Sequence, residues 1–255
     1  MQVIPVSAFS DNYVWTIRDD RHAVVVDPGD AQPVLDYLAR ERLQLVAILN
    51  THHHSDHVGG NALLLARYPG TPIYGPQDER IADVTHRVGD GNRVTLPHFG
   101  ITLEVSEIPG HTRSHIAFHG HGLLFCGDTL FAAGCGRLFE GTPEQMHRSL
   151  SRLAALPGDT NVYCGHEYTV SNIKFARAVE PDNGVLAEWG MRAQKLRDDD
   201  QPTLPTTLSL ELATNPFMRC TVPGVIAAAS RQAGRPLSNP VDVLATLREW
   251  KNGYK

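Results

Sequence analysis

Four residues of the types that bind transition metals lie within one short segment of the chain. His52, His54, Asp56 and His57 form the pattern H-x-H-x-D-H directly after the apolar run Leu45–Leu49. Side chains two positions apart point the same way in an extended chain and diverge in a helix, so we expect the first two histidines at a strand end. Imidazole and carboxylate together suit zinc, iron or manganese, whereas magnesium and calcium prefer oxygen ligands. The segment therefore predicts a transition-metal site.

Three more candidate ligands each follow a predicted strand and stand beside a glycine, which allows close backbone approach. They are His111, Asp128 and His166. The resulting set of five histidines and two aspartates exceeds what one tetrahedral ion needs. Two ions that share one bridging carboxylate use the whole set and leave coordination open to water. The sequence therefore predicts a binuclear site.

The remaining histidines carry weaker signals. His53 stands between two candidate ligands and is expected to face away from them, because neighbouring side chains of an extended segment point to opposite sides. His115 is equally compatible with a role in supporting the site and with an ordinary place in its strand. We expect hydrogen-bonded or solvated side chains at His22, His86, His98, His119, His121 and His147.

Apolar periodicity and turn residues predict the elements that must position these side chains. The predicted strands are Tyr13–Ile17, Ala23–Val26, Leu45–Leu49, Ile101–Ile108, His115–His119, Leu123–Cys126 and Val162–Cys164. The predicted helices of this part are Pro33–Arg42, Val58–Arg67 and one that begins at the capping box Thr142-Pro143-Glu144-Gln145 and ends near Ala155.

After Tyr168 the pattern changes to helices separated by Pro, Asp and Asn. The predicted helices there are Asn172–Val179, Val185–Arg197, Leu208–Ala213, Val225–Gln232 and Val241–Trp250. Strands with interspersed helices, followed by helices alone, indicate a layered α/β domain and a smaller helical domain. We expect the boundary near residue 170, which gives domains over residues 1–170 and 171–255.

Composition and charge limit the possible partners. The 255 residues are 42% hydrophobic and 20% charged, which is typical of a folded globular protein and excludes a disordered one. No apolar run has the length of a membrane span, and the sequence MQVIPVSAFSDN at the start lacks the regions of a signal peptide. A net charge of −5 gives no electrostatic case for nucleic acid. We therefore expect a cytoplasmic protein that binds neither membranes nor nucleic acid.

The four cysteines contain no C-x-x-C pair, so in a cytoplasmic chain they predict reduced thiols rather than disulfides. They are Cys126, Cys135, Cys164 and Cys220. None has an evident base beside it in the sequence, so we expect packing roles for them and no covalent acyl-enzyme.

Four sequence segments carry a resemblance to a known family. The H-x-H-x-D-H pattern with separated His, Asp and His resembles the metallo-β-lactamase superfamily, and the fuller motifs resemble its glyoxalase II, or hydroxyacylglutathione hydrolase, family. The motifs are Thr51–Asn61 (THHHSDHVGGN), Phe125–Gly141 (FCGDTLFAAGCGRLFEG), Gly165–Thr169 (GHEYT) and Asn215–Arg219 (NPFMR). Similar motifs extend from Asp11-Asn12-Tyr13 to the last helix, so the resemblance covers essentially the whole chain.

The resemblance implies an α/β fold, the αββα metallo-β-lactamase sandwich, with a smaller all-helical C-terminal domain that helps to bind glutathione. It implies that one ion is held by His52, His54 and His111. It assigns Asp56, His57 and His166 to the second ion and Asp128 to a bridging position. Two divalent ions per chain are expected, most readily zinc. Iron and manganese remain alternatives, because the donor set accommodates all three metals.

Five residues match the family's glutathione contacts, namely Arg137, Phe139, Tyr168, Arg248 and Lys251. Arg248 and Lys251 are three positions apart and so lie on one helical face, where a basic pair suits the carboxylates of glutathione. Some family members carry Lys and Tyr at the positions of Arg137 and Phe139. Arginine keeps the cation, whereas phenylalanine loses a hydroxyl and with it one possible hydrogen bond to the peptide.

The reaction implied by the resemblance is hydrolysis of the thioester S-D-lactoylglutathione to D-lactate and glutathione, the second step of methylglyoxal detoxification. A hydroxide held between the two metals would be the nucleophile, with Asp128 bridging the ions and Asp56 orienting the hydroxide. The thiolate is a good leaving group, because thiols have pKa values near 8.5, so little help from a general acid is needed. We expect the enzyme to act as a monomer on this small-molecule substrate.

Other functions agree less well with the sequence. A phosphodiesterase or nuclease of the same fold needs a basic surface, which an acidic chain without a Lys/Arg cluster does not offer. A flavin-coupled di-iron oxidoreductase normally carries an acidic residue in place of a histidine of the first motif, together with an added flavin domain, and neither feature is seen in the sequence. A β-lactamase is disfavoured by the cytoplasmic character and the helical C-terminal domain. A non-catalytic metal module would close its shell with four ligands, whereas this set leaves coordination open.

Overall fold

The computed structural model describes residues 1–254. It contains two compact units, each assembled from several segments of the chain. The first unit comprises Met1–Glu107, Ser114–Gly127 and Gly165–Glu167. The second comprises Ile108–Arg113, Asp128–Cys164 and the chain from Tyr168 onward.

A six-stranded mixed sheet lies in the first unit, with its strands in chain order. The strands are β1 (Gln2–Ala8), β2 (Asn12–Arg18), β3 (His22–Val26), β4 (Gln44–Leu49), β5 (Ile73–Gly75) and β6 (His86–Arg87). The first three strands pair antiparallel, whereas β3 to β6 pair parallel. Parallel strands are buried on both faces, which explains the continuous apolar character of β3 and β4.

Three helices belong to this unit, namely α1 (Ala31–Glu41), α2 (Ser55–Val58) and α3 (Asn61–Arg67). Asp30 caps α1 by accepting from the Gln32 N–H, and the helix buries Val34 and Leu38 against β1 and β4. Residues four apart share one helical face, so this stripe covers the sheet and leaves the polar side of α1 in solvent.

A second antiparallel array in the first unit contains β7 (Arg93–Leu96), β8 (Ile101–Glu107), β9 (Ile116–Gly120) and β10 (Leu123–Gly127), paired in that order. Buried and exposed residues alternate along β7, as in a strand with one face on the core and the other in solvent. The ends of β8 and β10 lead directly to His111 and Asp128 in the sequence.

The second unit is mostly helical. Its strands are β11 (Leu130–Phe131) with β12 (Gly134–Cys135), and β13 (Asn161–Cys164) with β14 (Thr206–Thr207), each pair antiparallel. Its helices are α4 (Pro143–Ala154), α5 (Thr169–Val179), α6 (Gly184–Asp198), α7 (Leu208–Thr214), α8 (Pro223–Ala233) and α9 (Pro240–Gly253). The predicted capping box at α4 is present, with both reciprocal hydrogen bonds between Thr142 and Gln145. A buried cluster that includes Ile173 and Trp189 joins α5 to α6.

The structure differs from the predicted elements at several places. The short strands β5, β6, β7, β11, β12 and β14 were not predicted, and two larger differences concern a helix and β1. The predicted helix Val58–Arg67 is divided, because Gly59 and Gly60 separate α2 from α3. A Cβ atom on Gly60 would lie 2.6 Å from the Pro28 carbonyl oxygen, so the chain passes too close here for a continuous helix with side chains. β1 was missed because it is an edge strand containing Pro5, which breaks the apolar pattern but is tolerated at an edge.

None of the helices within residues 1–254 combines the length and the apolar character needed to span a membrane. No disulfide joins the four cysteines, which all lie in the described part of the chain and are all buried. Because the two compact units interleave along the sequence, the domain boundary near residue 170 stays a prediction.

Candidate active site

The first motif begins where β4 ends. His52 is fully buried, and His54 continues in extended conformation before α2 starts at Ser55. Nε2 of His52 lies 3.1 Å from Nδ1 of His54. The two rings therefore converge, as the spacing of two in an extended segment predicts.

A second group of donor atoms surrounds Asp56. Its Oδ2 atom lies 3.5 Å from Nε2 of His57 and 3.5 Å from Nε2 of His166. Ligand atoms bound about 2.1 Å from a tetrahedral ion lie about 3.4 Å from one another. The three donor atoms thus have the separation and the chemistry that one divalent ion of the zinc, iron or manganese type requires.

The loop between β1 and β2 holds this group. Asp11 Oδ1 lies 2.8 Å from Nδ1 of His166, and Asn12 Nδ2 donates to Asp56 Oδ2 at 3.2 Å. A carboxylate at one imidazole nitrogen fixes the tautomer and directs the other nitrogen toward an ion. The sequence signal for these two residues was the family motif Asp11-Asn12-Tyr13 alone, because nothing local connects residue 11 with residue 166.

Asp27 is a residue of this region that the sequence analysis did not single out. Its side chain is buried and accepts from the Thr51 N–H at 2.7 Å and from Thr51 Oγ1 at 2.6 Å. The same carboxylate lies 3.2 Å from Nδ1 of His57, and Thr51 Oγ1 lies 3.0 Å from Nδ1 of His52. In His52 and His57 the contact is at Nδ1. This contact directs Nε2 of His52 toward His54 and Nε2 of His57 toward Asp56.

In the sequence Asp27 stands before Pro28 and Gly29, a pattern typical of a turn. In the structure it adopts a left-handed conformation, with φ of 53°. A non-glycine residue rarely adopts this conformation, and such strain is concentrated at functional sites. The neighbouring Gly29 packs so closely on α2 that a Cβ atom there would lie 1.8 Å from the Asp56 carbonyl oxygen.

His115, which the sequence left undecided, and His53, which it predicted to face away from the ligands, take different places. The ring of His115 is fully buried and stacks on the ring of His52, with centroids 4.5 Å apart and an angle of 15° between planes. Gly127 makes room for it, since a Cβ atom there would lie 2.9 Å from His115 Nε2. His53 instead faces Asp78, whose Oδ2 lies 3.5 Å from His53 Nδ1.

The second unit contains the other two predicted ligands, His111 and Asp128. Nδ1 of His111 donates to the Arg137 carbonyl at 2.9 Å, which fixes the tautomer because a carbonyl oxygen only accepts. Nε2 of His111 lies 3.5 Å from Asp128 Oδ2, again the separation of neighbouring ligands. Gly136 is required beside them, because a Cβ atom there would lie 1.9 Å from the Asp128 carbonyl oxygen.

The predicted substrate residues also lie in the second unit. Phe139 is 63% exposed, with its ring centroid 5.2 Å from that of His111. Tyr168 is partly exposed, with its ring centroid 5.2 Å from that of Phe131. Two aromatic surfaces are thus open to a ligand on this unit.

The predicted basic pair is anchored by backbone oxygens. Arg248 is buried and donates through Nη1 to the Cys135 carbonyl at 2.6 Å, while Lys251 Nζ donates to the Ser171 carbonyl at 3.1 Å. Burial, together with the charges of Arg248, Arg137 and Lys174, lowers the pKa of Lys251 to about 8. Crowded cations of this kind favour an anionic ligand. Lys174 was not predicted, because no sequence pattern relates α5 to α9.

Comparison with known proteins shows the family of this chain. The sequence profile of the metallo-beta-lactamase superfamily matches residues 9–166, and that of the hydroxyacylglutathione hydrolase C-terminus matches residues 167–254. The chain is therefore a metallo-β-lactamase superfamily protein. The predicted fold class, a metallo-β-lactamase fold with a mostly helical C-terminal part, is confirmed.

Two curated relatives extend over the whole chain. A hydroxyacylglutathione hydrolase of Nitrosomonas europaea is 50% identical over 255 residues, which are 100% of this chain and 97% of that protein. A hydroxyacylglutathione hydrolase of Aeromonas salmonicida is 53% identical over 253 residues, 99% of each chain. This chain belongs to the hydroxyacylglutathione hydrolase family.

Two solved structures are similar over most of the chain. BLEG-1 B3 metallo-beta-lactamase has a TM-score of 0.63 at 24% identity, covering 85% of this chain and 98% of that one, and it shows the fold alone. TTHA1623 in a di-iron-bound form has a TM-score of 0.60 at 26% identity, covering 85% of this chain and 100% of that one.

Proposed function

We propose that this enzyme is a binuclear metal-dependent thioester hydrolase that converts S-D-lactoylglutathione and water to D-lactate and glutathione. The observation that carries the proposal is the group of Asp56, His57 and His166, whose donor atoms have the mutual separations of ligands around one ion. The family's name supplies the substrate class, and the crowded cations of the second unit suit its carboxylates.

The proposed ligands divide between two ions. His52, His54 and His111 would hold one ion, and Asp56, His57 and His166 the other. Asp128 would bridge them. Imidazole with carboxylate favours zinc, with iron or manganese as alternatives, and the donor set accepts all three. The support lies in the motif spacing and in the contacts that direct Nε2 of His57, His111 and His166.

Bound ions of this kind lower the pKa of water to about 7 and polarise a carbonyl oxygen, which supplies a nucleophile and an electrophile at neutral pH. The chain's own residues orient these groups. Asp27 and Asp11 hold His57 and His166 through Nδ1, and Asn12 donates to Asp56 Oδ2, which restricts that carboxylate to one direction. Asp56 would thereby be placed to orient the attacking hydroxide.

The leaving group needs little help from the protein, because a thiol with a pKa near 8.5 leaves readily as thiolate. The cysteines are unsuited to act as nucleophiles. Burial raises the pKa of Cys135, and burial raises the pKa of Cys220 to about 12. The proposed mechanism therefore transfers the acyl group directly to water, with no covalent intermediate.

Substrate binding would involve the helical part of the chain, residues 171–255, together with Tyr168 and the loop after β12. Arg248 and Lys251 would bind carboxylates of glutathione, and Arg137 would add a third cation. Phe139 and Tyr168 would pack against the peptide through their exposed rings. The enzyme would work in the cytoplasm as a monomer, with no nucleic-acid or membrane partner.

The test is thiol release from S-D-lactoylglutathione by zinc-loaded protein, compared with release of nitrophenol from bis(p-nitrophenyl) phosphate. We expect rapid thiol release and little phosphodiester cleavage. Asp128→Ala should lose both bound zinc and thiol release. Preferred cleavage of the phosphodiester, or normal thiol release by the Asp128 variant, would refute the proposal.

A further inference from the structure

Two buried polar side chains of the α7 region face the β11–β12 hairpin. Glu211 and Asn215 are both 0% exposed. Glu211 Oε2 accepts from the Ala133 N–H at 2.7 Å and from Asn215 Nδ2 at 2.9 Å. Asn215 Nδ2 also lies 3.1 Å from the Phe131 carbonyl oxygen and 2.9 Å from that of Gly134. We call Glu211 and Asn215 the α7 clasp.

The α7 clasp holds the hairpin at its most strained point. Ala133 has φ of 52°, a left-handed conformation that a non-glycine residue rarely adopts. Its N–H is the group bound by Glu211, and the adjacent Ala132 carbonyl accepts from Asn172 Nδ2 at 3.1 Å. Four backbone groups of one short turn, at residues 131 to 134, are thus bound by buried side chains.

The hairpin continues directly into the segment that supports His111. After β12, the Gly136 N–H donates to the Thr129 carbonyl at 3.1 Å. The next carbonyl, that of Arg137, accepts from His111 Nδ1 at 2.9 Å. A displacement of this segment would weaken the contact that selects the tautomer of His111 and directs its Nε2 toward Asp128.

We propose that Glu211 and Asn215 are positioning residues of the metal site, which act through residues 131 to 137 on the tautomer and orientation of His111. The inference rests on the proposed function in one respect, the assignment of His111 as a ligand. Neither clasp residue is among the proposed metal ligands or substrate contacts. Their role is to fix the carbonyl of Arg137, as outer partners of metal-bound histidines do in other sites.

The test measures zinc affinity by competition with a chromophoric chelator, on the full chain. Glu211→Ala and Asn215→Ser should lower zinc affinity about 10–100-fold, the usual effect of losing an outer partner of a ligand. The zinc affinity of Glu211→Gln should stay near that of wild type. The amide oxygen of this variant can accept from Ala133 and Asn215. Its NH₂ group can donate to Thr206 Oγ1, which lies 2.7 Å from the wild-type carboxylate. Serine at 215 keeps the cap on the Phe217 N–H and removes only the amide donors.

Glu180→Ala is the matched control. It removes a paired contact with Arg219 in the same unit, at 2.8 and 2.9 Å, without touching the hairpin. It should lower thermal stability and leave zinc affinity unchanged. If Glu211→Ala and Asn215→Ser lose no more zinc affinity than this control at matched thermal stability, the clasp is only structural and the inference is wrong. Should Glu211→Ala fail to fold, the milder Asn215→Ser decides alone.

A spectroscopic measurement gives a second, independent result. With ¹⁵N-labelled histidine, zinc-loaded wild type should show a slowly exchanging proton on Nδ1 of His111, and Asn215→Ser should show faster exchange at that proton only. Equal exchange in the two proteins would contradict the inference. A wild type that binds zinc but releases no thiol would refute the proposed function and leave this test valid.

Discussion

Lys251 should give the enzyme a pH dependence that follows from the surroundings of its ammonium group. Burial is the largest cause that lowers the pKa of this lysine, and the charges of Arg248, Arg137 and Lys174 lower it further. The pKa falls to about 8. The ammonium would then be about 90% charged at pH 7, half charged at pH 8 and about 9% charged at pH 9. If only the charged form binds the carboxylate of glutathione, kcat/KM should fall about 16-fold between pH 8 and pH 9.5, since kcat/KM reports on the free enzyme.

The matched variant is Lys251→Arg, because arginine remains charged throughout this range. We measure initial rates of thiol release at substrate concentrations far below KM, from pH 6.5 to 9.5, and subtract the uncatalysed hydrolysis. The kcat/KM of wild type should decline above pH 8, whereas the kcat/KM of Lys251→Arg should stay nearly constant. Titration of the substrate itself affects both proteins alike and cancels in their ratio. A constant ratio across the whole range would refute the role of Lys251.

Three further predictions concern other contacts of the structure. Asp27→Asn should lower zinc affinity about 10–100-fold in chelator competition, because it disturbs the contacts with Thr51 and His57, and an unchanged affinity would contradict this. Burial raises the pKa of Glu211 from 4.5 to about 7, so the folded state retains a proton that the unfolded state releases. Stability should therefore fall as pH rises from 4.5 to 7, by up to about 3 kcal/mol, and urea unfolding of metal-free wild type should show a decline that Glu211→Gln lacks. Gly136→Ala should lower the melting temperature strongly, because its Cβ would meet the Asp128 carbonyl oxygen. Gly184→Ala should not lower it, because the space around Gly184 is open. Equal melting temperatures of the two variants would contradict the packing argument.

The sequence was sufficient for residues that share a local pattern. The spacing of His52 and His54 in an extended segment predicts converging rings, and the structure has them 3.1 Å apart at the nearest nitrogens. The capping box at Thr142 likewise depends on residues three apart and is present. In both cases the geometry is set within a few residues, which a pattern in the sequence can describe.

The supporting contacts could not be predicted, because they join residues distant in sequence. Asp11 reaches His166 across 155 positions, and Glu211 reaches Ala133 across 78. Asp27 looked like a turn residue, since nothing near it in the sequence indicates that its carboxylate faces Thr51 and His57. The division of the predicted helix at Gly59 and Gly60 has the same origin, a close approach by the distant Pro28.

The most direct test of the account is a titration of metal-free protein with zinc, with thiol release from S-D-lactoylglutathione followed at each addition. Seven ligands shared between two ions predict that activity rises until about two equivalents are bound and that added chelator abolishes it. Full activity at one equivalent, or activity that survives removal of all metal, would contradict the binuclear hydrolase.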